Sequence, residues 1–141
     1  MPYDADQPPW EQQDERPPLV NYEAEQALLA AIFADNRSYD HVEDFLAAAH
    51  FADAAHGRIY EACAHLITCG SQANPIALKQ HFDRDEALAD VGGSQYLADL
   101  STVIVTTRNA AHYGRVIYDL YLRRQLVASG HEAIDSAHVF D

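Results

Sequence analysis

The chain has 141 residues, 48% hydrophobic and 10% aromatic, and a formal net charge of −13 with its histidines neutral. That length accommodates one domain with a modest core, or one domain with a tail. The overall charge repels phosphate and argues against a fold that grips nucleic acid across its whole surface.

Residues 1–18 hold five of the six prolines, five acids and a single base, Arg16, with Trp10 as the one large apolar anchor. This composition predicts a disordered acidic tail over 1–18 and a folded domain over 19–141. Asn21 caps a first helix, with Glu23 and Glu25 near the positive end of its dipole and Leu28, Leu29, Ile32 and Phe33 as its apolar stripe. It ends near Asp35-Asn36. Ser38 is expected to cap a second helix bearing Val42, Phe45, Leu46 and Ala49. Asp53 caps a third, with Ile59, Tyr60, Cys63, Leu66 and Ile67 at helical spacing and Gly70 as its stop.

Asn74-Pro75 opens a fourth helix carrying Ile76, Leu78 and Phe82, since proline suits the first helical position. A further turn is expected over 85–90. Gly92-Gly93 breaks the chain, and Ser94 caps a fifth helix with Tyr96, Leu97 and Leu100. The β-branched run Ser101 to Thr107 reads as an extended connector. Thr107 then caps a long final helix through Leu126 and on toward Val139, with Tyr113, Val116, Ile117, Leu120, Tyr121, Leu126 and Val127 apolar. No segment alternates long enough to be a strand. The expected fold is all-α, a bundle of five to six mostly short helices ending in one long one.

The apolar residues of that last helix cover more than one face, and Leu122 adds to them, so it calls for burial on several sides. The bundle covers one side. The remainder points to a following helix or a second chain.

Catalytic signatures are sparse. The sequence has no GxxxxGK[ST] phosphate loop, HExxH, GxSxG or CxxC motif. Among its eight histidines, only Glu61, His65 and Cys69 step along one helix face at metal-ligand spacing, and no second cluster completes a site. The acids Asp83, Asp85 and Glu86 read as a solvated turn rather than as general acid–base machinery, and Glu43-Asp44 as an exposed flank. Arg108, Arg115, Arg123 and Arg124 make the end of the chain locally basic, with Asp119 placed to support Arg123 at i,i+4. Arg124 reads equally as a contact to an acidic partner or as ordinary helix-face solvation. Cys63 and Cys69, if on one helix, stand about 9 Å apart in rise, beyond the roughly 7 Å Cα reach of a disulfide. Two free thiols, no signal peptide and no apolar run near the ~18 residues of a membrane span suit a reducing cytoplasm.

Four stretches in order carry a resemblance: NYEAEQALLAAIFAD (21–35), FADAAHGRIYEACAHLI (51–67), DVGGSQYLADL (90–100) and NAAHYGRVIYDLYLRRQL (109–126). Together they resemble the N-terminal domain of DnaB-type replicative DNA helicases over residues 17 to about 138. The pattern departs at Ala30 or Ala31, where the family has glycine, and at Ala52, where it often has an aromatic. Asn74-Pro75-Ile76 follows the family's pattern only loosely. The resemblance implies a non-catalytic helical module of a hexameric helicase at the replication fork. It implies that ATP and magnesium belong to a separate RecA-like domain, so no cofactor or metal is expected here. It implies self-pairing into a collar, docking of the primase C-terminal domain, contact with an initiator or loader, no membrane role and weak or no direct DNA binding. The long last helix becomes the first arm of a pairing hairpin, with Tyr113, Val116, Ile117, Leu120, Tyr121 and Arg124 as its expected interface residues. Three other readings stand beside this one: a primase C-terminal helicase-binding domain, an unrelated helical adaptor, and a small hydrolase using Glu61 and His65.

Overall fold

In the computed structural model, residues 16–83 and 86–139 are described; residues 1–15 of the expected tail, Trp10 among them, and Asp85 of the acidic turn fall outside them. Helix α1 (Tyr22–Ala34) is the centre of the fold. Asn21 caps it, its side chain accepting from the Ala24 N–H at 3.0 Å. Leu28, Leu29, Ala31 and Ile32 are fully buried and Ala30 nearly so. A single stripe was expected; the helix is instead enclosed on several sides, and its small residues Ala30 and Ala31 let neighbours approach closely.

The second helix expected from Ser38 is absent. A 3₁₀ turn spans Asn36–His41, a loose turn follows, and a second 3₁₀ turn spans Ala48–His50. Side chains divert the groups that a helical ladder needs. Asp35 accepts from the Arg37 N–H at 3.0 Å, and the Ser38 hydroxyl donates to the Ala31 carbonyl at 3.1 Å instead of capping. The Leu46 carbonyl is taken by the buried Tyr60 hydroxyl at 2.9 Å. Val42 and Leu46 nevertheless reach the core, so the apolar pattern predicted burial correctly and the element incorrectly.

Helix α2 (Ala54–Thr68) starts at Asp53, whose carboxylate accepts from Ala55 N–H at 2.9 Å. It buries Ile59, Tyr60 and Cys63. It stops as expected at Gly70, in a left-handed conformation with φ 81°. There the Ser71 N–H returns to the Leu66 carbonyl and the Gly70 N–H to that of Ile67, a Schellman closure. Asn36 bonds both ways with the backbone of Ala73 and thereby ties the end of α1 to the entry of α3 (Pro75–Phe82). The short α4 (Glu86–Asp90) ends in a second Schellman closure on Gly92-Gly93, from Gly93 N–H to the Leu88 carbonyl at 2.7 Å. Helix α5 (Ser94–Ser101) buries Leu97 and Leu100; its cap position is Gly93, so Ser94 is its first residue rather than its cap.

Residues 104–106 form a non-helical connector and leave Ile104 98% exposed. Thr107–Asn109 is a 3₁₀ turn, not the expected cap, and α6 runs from Ala110 to Ala137, 28 residues. It lies along α1 through a seam of Ala110, Gly114 and Ile117. The expectation of an all-α bundle closed by one long helix is met, and no described residue is in a strand.

Candidate interaction surface

The first half of α6 is packed and the second half is free. Ala110, Gly114 and Ile117 repeat at near-helical spacing and face α1 and the Asn36–His41 segment. Gly114 makes the seam possible: a Cβ there would come within 2.5 Å of the buried Val42 Cγ1. Phe45 packs edge-on against Tyr118 and receives the Arg115 guanidinium 3.8 Å from its ring centroid. The His50 ring sits between Tyr118 and Tyr121, with centroids 5.0 and 4.5 Å away.

Arg124 is the last residue of α6 that the body partly covers; every residue from 125 to 139 is exposed. At 100° per residue the apolar groups outside the seam form two further stripes, about a third of the circumference from the packed seam and from one another. Leu120, Val127 and Ile134 recur every seven residues, and Leu122, Leu126 and Ala133 make the other stripe. Leu126 is 74% exposed and Ile134 58%. A helix apolar on three sides with only one side covered is incomplete as a monomer surface.

The six residues expected at an interface divide accordingly. Ile117 is a correction: it is 2% exposed, sealed in the chain's own core by the Gly114 seam, and has no surface to offer a partner. Tyr113, Val116, Leu120 and Tyr121 are half-buried along the shoulder of the helix. Arg124 bonds its own body, donating to the Leu19 carbonyl at 2.8 Å and to the His50 carbonyl at 2.9 Å. Arg123 pairs with Asp119 at 2.8 Å, as its spacing suggested. Ile134 escaped the sequence reading, although its seven-residue interval from Leu120 and Val127 was the available signal.

A second constellation lies inside the bundle. Glu25, expected near the positive end of the first helix's dipole, is 2% exposed and His56 is 1% exposed. The carboxylate accepts from the N–H groups of Ala52 and Asp53 at 2.8 and 3.2 Å and meets His56 Nδ1 at 2.9 Å. His56 Nε2 makes a short contact to the Tyr96 hydroxyl, which also accepts from Gln26 at 3.3 Å. Burial raises the Tyr96 phenol above its ordinary range. The network joins α1, α2 and α5 and gives substrate no path to its carboxylate, so its role is to hold the helices together. By contrast Glu61, His65 and Cys69 are all exposed on the far part of α2, with Cys69 Sγ 3.9 Å from His65 Nε2. Cys63 is buried, its thiol pushed up to about 12 by desolvation, and both cysteines are free.

The described residues form a helical module with a closed core, a buried polar clamp and one long helix exposed over its second half. The model of the family "DnaB-like helicase N terminal domain" matches residues 17–119. The chain is 37% identical over 118 residues to the replicative DNA helicase DnaB of Rickettsia conorii, covering 84% of this chain and 24% of that one. Against the DnaB of Treponema pallidum it is 36% identical over 110 residues, 78% of this chain and 25% of the relative. Its fold superposes on the crystal structure of the N-terminal domain of DnaB helicase from Mycobacterium tuberculosis with TM-score 0.80 and 26% identity, covering 88% and 90% of the two chains. The chain therefore belongs to the DnaB-like helicase N-terminal domain family. It spans about a quarter of the length of the curated relatives it matches. No helix among its described residues is long and apolar enough to cross a membrane.

Proposed function

We propose that this chain is a non-catalytic assembly and primase-docking module of a hexameric replicative DNA helicase, acting at the replication fork in the cytoplasm. The observation that carries the reading is the free half of α6, which presents Leu126, Val127 and Ile134 to solvent beyond the body. Exposed apolar stripes on a projecting helix fit a helix-on-helix partner better than any small molecule. The relatives are named replicative DNA helicases and extend well beyond the matched region. ATP and magnesium chemistry belongs to that remaining length, and this module supplies contacts. A net charge of −13 suits contacts with proteins more than with DNA. Docking of a primase C-terminal domain, and of an initiator or loader, would use the same body.

The test has two arms. Sedimentation equilibrium of the chain should show self-association that Leu126→Asp and Val127→Asp weaken while leaving the thermal melt unchanged. Pull-down with the cognate primase C-terminal domain should retain it. A chain that stays monomeric at high concentration and does not retain primase would defeat the proposal.

A further inference from the structure

We propose that Arg124 is a positioning residue that sets the direction in which the free half of α6 leaves the domain. Its guanidinium reaches two carbonyls on segments far apart in sequence, Leu19 where the chain enters the fold and His50 at the end of the second 3₁₀ turn. The neighbouring Arg123, by contrast, bonds within the helix, to Asp119. The planar, forked guanidinium can serve two separate acceptors at once, which a single ammonium does less well. The His50 ring packs against Tyr118 and Tyr121 beside the same joint. Immediately after Arg124 the helix loses all cover. The joint therefore lies where packed helix becomes free helix, and a small rotation there is carried along the whole free half. The direction decides which way the two apolar stripes face, and a fixed direction lowers the ordering cost of any partner that binds them. The inference concerns one molecule alone and holds whether or not the free half pairs with a second copy.

The test uses two spin labels on the 141-residue chain. One goes on the exposed native Cys69, and the other on Glu132→Cys, about 12 Å beyond Arg124 along the helix at 1.5 Å per residue. Cys63 is buried and stays unlabelled. Distances are measured at a concentration where sedimentation shows a monomer, with circular dichroism confirming that each variant is folded and equally helical. With Arg124 in place the distance distribution is narrow. Arg124→Ala should shift and broaden it, and Arg124→Lys should fall between the two. A merely stabilising role would lower the melting temperature of both variants and leave the distribution unchanged; that result, in Arg124→Ala or in Arg124→Lys, overturns the proposal. If Arg124→Ala does not fold, Arg124→Lys decides alone, because an ammonium that reproduces the narrow distribution would show that the fork is not what aims the helix.

Discussion

Two glycines of α6 differ only in what surrounds them, and alanine should separate them. Gly114 and Gly130 both lie within the helix, where replacing glycine by alanine stabilises by about 1 kcal/mol through backbone entropy. At Gly130 a new Cβ meets nothing within 4 Å, so Gly130→Ala should realise part of that gain as added helicity in the free half. At Gly114 the same Cβ would lie 2.5 Å from Val42 Cγ1 and 3.2 Å from Phe45 Cζ. Ordinary carbon–carbon contact is about 3.5–4.0 Å, so the overlap with Val42 is roughly 1 Å. Val42 is fully buried and β-branched, with few rotamers to retreat into. Overpacking of this kind costs about 1–3 kcal/mol. Set against the propensity gain, Gly114→Ala should be net destabilising, by about 1 kcal/mol in the middle of the range. With a urea slope of about 1–3 kcal/mol per molar, the unfolding midpoint should fall by roughly half a molar. Urea titration followed by far-ultraviolet circular dichroism measures both variants. A Gly114→Ala chain as stable as wild type or more so would refute the close seam between α6 and Val42.

Three further outcomes follow from the interior and the joint. Glu25→Ala strips the acceptor from Ala52, Asp53 and His56 inside the core, and breaking such a buried pair should cost about 3–5 kcal/mol in a urea titration. Burial lowers the pKa of His50 from its ordinary 6.5, in keeping with the Ala47 N–H bonded to its Nδ1 at 2.9 Å. The unfolded chain then binds the proton more readily, so this contribution to stability is complete above pH 6.5 and is lost as pH falls through 6.5 toward the lower folded value. The stability difference between wild type and His50→Asn, whose amide oxygen keeps an acceptor but does not titrate, should shrink over that window in paired denaturant titrations. Cys69 should react with a thiol reagent in the native chain at once, and Cys63, buried with its thiol pushed up to about 12, only on unfolding.

What could be read from the sequence was whatever local chemistry decides alone. Asn21, Asp53 and Asn74 cap as expected because a short polar side chain just before an apolar run has few better uses. Gly70 and Gly92-Gly93 stop helices because positive φ is cheap only for glycine. The segment from Ser38 to Ala49 has helical apolar spacing, but the Ser38 hydroxyl and the Leu46 carbonyl are claimed by groups outside the segment. Nothing in the local pattern marks the Ala31 carbonyl or the Tyr60 hydroxyl as competitors for those atoms.

Charged side chains were the least legible for the same reason. Glu25 and Glu23 sit two residues apart in one first turn and look equivalent on a helix dipole, yet one is sealed against His56 and the other is exposed. Which of them turns inward depends on where α2 arrives. Arg123 and Arg124 are adjacent, and only Arg123 has an acid at i,i+4 spacing, Asp119, to announce its partner. A step of 100° sends Arg123 to Asp119 on its own helix and Arg124 to the carbonyls of Leu19 and His50. The apolar stripes of α6 were legible because an uncovered face is a property of the helix alone; the direction in which they point is a property of the joint. If the module acts through α6 as proposed, a partner must match the apolar pattern and also the angle at which the domain presents it.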